Sequence, residues 1–208
     1  MTEGGAPSDT RSRILAIAVD ALLDLGAASL SLREIAKRAG LSPMAIYRHF
    51  ADKEALMRAL IEEGFRIYEG YLAIERHEAD PVRHLEALAA RVFDFAIEKS
   101  ACFELMFLSS GTLSGLKDRR PIEGIHLPTY DMARDAVREC VEAGRLQAGN
   151  LRHMTTDLLA YCIGFGAFYM SGAITSDPVV ARRQFADGFR RMVTLMSRPD
   201  QTHGGDAP

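Results

Sequence analysis

SLREIAKRAGLSPMAIYRHFADK, residues 31–53, spells two short helices joined by a tight turn around a glycine. Ser31 and Glu34 have the spacing of a capping box, in which hydroxyl and carboxylate satisfy the free N–H groups at a helix start. Leu30 and Ile35 stand where a hydrophobic staple needs them. A helix therefore begins at Ser31, and its apolar residues Leu32, Ile35, Ala36 and Ala39 fall at i, i+3, i+4 and i+7, leaving Arg33, Lys37 and Arg38 on other faces. Gly40 stops this helix, because a helix C-terminus often demands the left-handed conformation that glycine takes freely. Ser42 and Pro43 restart the chain as N-cap and first helical residue. In the second, shorter helix Ile46 and Phe50 share one side, while Met44, Tyr47, Arg48 and His49 spread over the rest. Asp52 is placed to cap a third helix from Lys53. This is the outline of a helix-turn-helix, a device that reads DNA.

Groove dimensions set what such a helix can do. The major groove of B-DNA is about 12 Å wide and admits one helix, whose first residues then meet base edges. Arg48 suits a bidentate contact to guanine, and Met44, Ala45 or the Tyr47 ring suits a thymine methyl. Tyr47, His49 and Lys53 suit phosphate, which positions a protein without specifying sequence. Ser31, Arg33, Ser42 and Pro43 complete the candidate contact set within the stretch. Arg11 and Arg13, just ahead of the stripe Ile14, Ile17, Ala18, Ala21, Leu22 and Leu25, reach for phosphate or a minor groove, or are solvated charges at a helix start. On these residues alone a plain three-helix packing unit, with Tyr47 and Arg48 as solvated surface, stays open.

Taken together, a first helix ILAIAVDALLDLG, then LREIAKRAGLS, then IYRHFADKEAL resembles the N-terminal domain of the TetR family of transcriptional regulators, over about Thr10 to Leu60. The run Ile46–Leu56 with the preceding I-A-x-x-A-G-L-S carries most of the resemblance. One departure stands out: family members often carry glycine where this chain has Met44, so base preference there is not transferable. The resemblance implies an all-α protein, a three-helix helix-turn-helix DNA-binding domain joined by a long helix to a helical effector-binding and dimerisation domain. It also implies a homodimer that sets two reading heads on near-palindromic double-stranded operator DNA.

The chain has 208 residues, enough for one large or two small domains, with 48% hydrophobic and 25% charged residues as in ordinary globular proteins. The net charge is −3, but residues 10–66 hold nine Lys/Arg against seven Asp/Glu, whereas residues 67–208 hold sixteen against nineteen. That distribution is compatible with a phosphate-facing N-terminal part and no more. Residues 1–9 and 198–208, rich in Gly, Pro and Asp and without apolar periodicity, read as disordered flanks around a reading head at 10–56 and a ligand-binding and dimerisation domain at 57–197. No signal peptide is evident, since Gly, Pro and Asp stand where an apolar run belongs.

Beyond Lys53 the chain reads as helical almost throughout. A helix over 53 to about 76 carries Leu56, Leu60, Ile67 and Tyr71 on one face and Met57, Ile61, Phe65 and Leu72 on another, as a connector between two layers would. Further helices are expected at 81–99, at ACFELMFL (101–108), at 129–143, 151–174 and 178–196, with a long connection or lid at 109–128. The run Leu158–Ser176 has nineteen residues without a charge, close to the ~20 that span a bilayer. Its glycines and serines, and the amphipathic stripe Phe185, Phe189, Met192, Val193, Met196 in the next helix, point instead to a four-helix dimer seam formed with a second copy. Phe168 and Gly172 join that seam, and no membrane partner is expected.

The effector pocket is expected among Phe93, Phe103, Glu104, Met106, Phe107, His126, Tyr130, Phe165 and Tyr169, apolar and aromatic lining with three polar groups, so the unknown effector is itself small and apolar or aromatic. Any helical core offers a similar set, and plain core or dimer seam accounts for most of these residues. Cys102, Cys140 and Cys162 are far apart without a C-x-x-C, and the six histidines show no H-x-x-x-H, so neither a metal nor another cofactor is indicated and a reduced cytoplasmic chain follows. The expected function is a non-enzymatic regulator, a repressor released from its operator when a small molecule binds. A ligand sensor without operator binding, or an all-α enzyme using Glu104 and His126, are the competing readings.

Overall fold

The computed structural model describes residues 7–73, 80–108 and 128–197. These fold as helices: α1 Pro7–Ser29, α2 Leu32–Ala39, α3 Pro43–Tyr47, α4 Lys53–Leu72, α5 Pro81–Glu98, α6 Ser100–Phe103, α7 Pro128–Glu142, α8 Leu151–Met170 and α9 Pro178–Met196. No strand occurs among the described residues. The described residues within Met1–Tyr71 and Phe95–Ile125 form one compact unit, and those within Leu72–Asp94 and His126–Pro208 form another.

Most boundaries follow the caps read from the sequence, and the departures have local causes. Helix α1 begins at Pro7, inside the stretch expected to be a loose flank, and its regular path is broken at Gly26, whose φ of 73° and ψ of 163° are not helical. Helix α8 stops at Met170 rather than 174, because Gly172 takes φ 73° and its N–H bonds back to the Tyr169 carbonyl. The stretch ACFELMFL divides into α6 and a π-helical turn, Glu104–Leu108. The expected flank 1–6, the end of the connecting helix at 74–76, the lid at 109–127 with His126, and the tail 198–208 lie outside the described residues.

In the first unit α1 buries Ile14, Ala18, Ala21 and Leu22, spaced i, i+4, i+7, i+8, and α4 buries Leu56, Leu60 and Tyr68 at four-residue multiples. Of the second face expected on α4, Met57, Ile61 and Phe65 are half-buried and Leu72 is buried. Helix α6 packs on α1. Below it, Phe65, Tyr68, Phe95, Phe103 and Phe107 form a chain of edge-on and tilted rings with centroids 5.0–6.4 Å apart.

The second unit centres on Phe185 of α9. Its ring stacks on Phe93 of α5 at 4.7 Å and 4°, and lies 5.5 Å from both Tyr161 and Phe165 of α8. The Tyr161 hydroxyl donates to the Phe185 carbonyl at 2.9 Å, which satisfies the one polar atom in this cluster of rings. The Arg182 Nε donates to Asp94 at 2.7 Å and ties α9 to α5 at the cluster's edge.

Tyr161 fits because residue 188 has no side chain. A Cβ there would stand 2.0 Å from the Tyr161 hydroxyl oxygen and 2.9 Å from its Cζ. Gly188→Ala is therefore expected to destabilise the protein by about 1–3 kcal/mol, the usual cost of overpacking a filled core. Tyr161→Phe removes the atom that clashes most, so in denaturant titrations the double variant should be less destabilised than the sum of the two single variants. Additive effects would contradict the close approach.

Burial also holds two groups of α8 in their neutral forms. It raises Tyr161 from 10.0 to about 12 and Cys162 from 9.0 to about 12. Folding favours the protonated forms, so their contribution is intact below pH ~9, where both thiol and phenol are protonated even unfolded, and is lost as pH climbs from ~9 to ~12. Thermal midpoints should therefore fall across that window, and Cys162→Ala should make the fall shallower. Cys102 and Cys140 are likewise buried, and burial raises the Cys102 thiol as well.

Candidate nucleic-acid interface

The helix-turn-helix forms with the geometry its residues dictate. Ser31 accepts from the Glu34 N–H at 3.2 Å, giving half of the expected capping box. The Glu34 carboxylate turns instead to Arg38, whose Nε donates at 3.1 Å while its Nη1 reaches Asp24 of α1 at 2.7 Å. These two carboxylates hold the Arg38 guanidinium above its ordinary pKa, Asp24 first, and brace α2 against α1. Gly40 adopts φ 64°, and the turn closes with Gly40 N–H to the Lys37 carbonyl at 3.3 Å and Leu41 N–H to the Ala36 carbonyl at 2.9 Å, a Schellman motif.

Helix α3 is five residues long and hangs on its buried side. Ser42 accepts from the Ala45 N–H at 3.2 Å, Pro43 takes the first position, and Ile46 and Phe50 are 0% and 2% exposed. The opposite side is solvent: Met44 is 68% and Tyr47 49% exposed, and Ser42, Pro43 and Arg48 are exposed as well. Ala45 and His49 are half-buried. Each cap hydroxyl of Ser31 and Ser42 accepts one bond and keeps its own O–H to donate elsewhere.

Around this face the cations divide into engaged and free. Arg11 is exposed, with its guanidinium carbon 5.2 Å from the Phe50 ring centroid, a cation–π contact that holds the start of α1 to the end of the reading helix. Lys53 donates to the Ala28 carbonyl at 3.3 Å, which leaves two of its three donors. Arg13, Arg33, Lys37 and Arg48 are exposed and make no ion pair among the described residues. The structure thus places every candidate DNA contact in the first unit, and adds Lys37, whose availability no local spacing signals. The pairing of Arg38 with Asp24 spans fourteen residues and is equally invisible to helical periodicity.

The residues of the expected effector set belong to both units. Phe93, Phe165 and Tyr169 meet in the second unit, with Tyr169 5.7 Å and Phe165 5.3 Å from Phe93. Phe103, Met106 and Phe107 belong to the first unit, where Met106 lies against Gly64 of α4 and Phe107 is the neighbour of Phe65 and Tyr68. Glu104 is exposed on the π turn, and Tyr130, half-buried, donates to the Arg152 carbonyl at 3.4 Å.

The expected seam also divides. Phe185, Phe189 and Val193 are 2%, 2% and 5% exposed within the single chain, with Phe185 against rings of α5 and α8 and Phe189 beside Tyr161 of α8. Met192 and Met196 are half-buried, and Gly172 closes α8. Phe168 is 61% exposed, and it is joined by Val179 at 68%, Val180 at 41% and Leu195 at 82%, which lie off the amphipathic stripe. No described helix is long and apolar enough to cross a membrane, and no group of three metal-ligating side chains gathers among the described residues.

Comparison with known proteins is consistent with this geometry. Residues 14–60 match the family model of bacterial regulatory proteins of the tetR family. The HTH-type transcriptional regulator AcrR of Shigella flexneri is 28% identical over 67% of this chain and 68% of its own length. The HTH-type transcriptional regulator UidR of Escherichia coli K12 is 23% identical over 88% and 91%. A solved tetR-family regulatory protein from Rhodococcus RHA1 shares the fold with a TM-score of 0.64 at 21% identity, over 92% of this chain and 98% of that one.

Proposed function

Because the chain belongs to the TetR family of transcriptional regulators and carries its helix-turn-helix DNA-binding domain, we propose that it is a repressor released from a near-palindromic operator when a small molecule binds its helical C-terminal part. The observation that carries this reading is the solvent-facing side of α3, where Met44, Tyr47 and Arg48 stand clear of a helix pinned by Ile46 and Phe50. Arg48 reads a guanine edge, while Arg13, Arg33, Lys37 and the remaining donors of Lys53 bind phosphate. Ser31, Ser42, Pro43, Ala45, His49 and Arg11 complete the surface that follows the duplex. Occupying a promoter site is enough to block transcription, so repression requires no further surface.

Two copies are needed to set two heads on one operator, and the exposed apolar residues of α8 and α9, Phe168, Val179, Val180 and Leu195, support pairing through those helices. The effector is small and apolar or aromatic, held by the second unit's rings with Tyr130 as a polar contact. For release, it must bind the form that does not fit the operator more tightly than the form that does, since equal affinity shifts nothing. Helix α4, in one unit with the reading head, carries the coupling. The test is a gel shift on a selected operator with and without a metabolite that raises the thermal midpoint. Loss of the complex on adding the metabolite supports the reading, and undiminished operator affinity of the ligand-bound protein refutes release.

A further inference from the structure

We propose that Met44 is the specificity-determining residue of the reading helix, packing its thioether side chain on the C5 methyl of a thymine in the major groove. This deepens the DNA-reading role proposed above and rests on it. Met44 is 68% exposed, the most exposed large apolar residue among the described residues of the first unit, ahead of Tyr47 at 49% and Leu25 at 38%. Its own helix does not need it: Ser42 supplies the cap, Pro43 the first position, and Ile46 and Phe50 the anchorage in the core.

Chemistry narrows what such a side chain can read. Methionine has no donor and only a weak sulfur acceptor, so it finds no hydrogen-bonding match on a guanine edge and only a weak one on the amino groups of adenine and cytosine. The single apolar group that the four unmodified bases present in the major groove is the thymine methyl. Tyr47 lies three residues on and therefore on the same side of the helix, which widens the apolar face to the size of a methyl and its sugar neighbour. Arg33 and Lys37 of α2 and Arg48 at the end of α3 are exposed and make no ion pair among the described residues, which leaves Arg33 and Lys37 to phosphate and Arg48 to a guanine edge while Met44 meets a base.

The test begins with an operator selected from random duplexes and replaces each thymine in turn with deoxyuridine, which removes only the methyl. At one position per half-site the native protein should lose about fourfold in affinity, the fold-change that corresponds to burying one methyl-sized group. Met44→Ala should bind the thymine and deoxyuridine duplexes alike at that position, while Met44→Leu should keep the preference. Thermal midpoints should be unchanged, since the side chain is outside the core. Cytosines replaced by 5-methylcytosine should leave binding as it was; a gain there without any loss on deoxyuridine would overturn the assignment to thymine. A selected operator whose thymines can all be replaced without loss, or a preference that survives in Met44→Ala, overturns the role of Met44 and leaves DNA reading standing. Failure to select any sequence overturns both.

Discussion

Truncating Phe185 to alanine is expected to lower the unfolding free energy by about 3–5 kcal/mol, the range for removing a buried aromatic ring that neighbours cannot replace. This ring touches Phe93, Tyr161, Phe165 and Phe189, and its exposure is 2%. Stacking and edge contacts add to the transfer term, since each aromatic pair contributes ~0.5–1.5 kcal/mol beyond its buried area. Phe185→Leu keeps most of the volume and should cost less than half as much. Phe168→Ala is the control from the next helix. At 61% exposure it should change the stability of the single chain by no more than about 0.5 kcal/mol while weakening any association through α8 and α9. Denaturant titrations at several protein concentrations separate the two effects, because association alone makes the midpoint concentration-dependent. If Phe185→Ala cost under about 1 kcal/mol in the single chain and instead abolished association, the ring would belong to a seam between copies after all.

Removing the Arg48 guanidinium should weaken specific DNA binding by about 1–3 kcal/mol, roughly five- to a hundredfold, and relax the preference for guanine at one position of each half-site. Arg48 makes no ion pair among the described residues and is exposed, so its removal costs the fold almost nothing and the effect falls on the complex. Lys37→Ala supplies the contrast. Without its ammonium on a phosphate, specific and non-specific DNA should both bind more weakly, by about the same factor, and the salt dependence should flatten by about one unit of slope. Equal behaviour of the two variants, uniform across sequences, would move Arg48 from reading bases to holding the backbone.

The reading head was legible in the sequence because its determinants are local. Caps at Ser31, Ser42 and Asp52, the left-handed turn at Gly40 and the anchors Ile46 and Phe50 each depend on residues within five positions, and each appears where the spacing places it. What stayed hidden depends on which helices meet. The stripe Phe185, Phe189, Val193 has the same period whether it faces another copy or the chain's own α5 and α8, and periodicity alone cannot say which partner covers it. Composition groups the aromatic residues of the expected effector set, but it carries no sign that Phe93 and Phe103 belong to different units. Likewise Arg38 reads as one more cation of α2, whereas Asp24 and Glu34 hold it as a brace.

Selection of binding sites from random duplex DNA by the full chain tests the central claim most directly, that residues 31–53 form one head of a paired reader. The account predicts a near-palindromic site whose half-sites are centred about one helical turn, or a multiple of it, apart. Binding to that site should weaken by at least about 1 kcal/mol on substitution of Arg48 or Tyr47 with the fold intact. Enrichment of no sequence, or of a single asymmetric site bound by one copy, would contradict it.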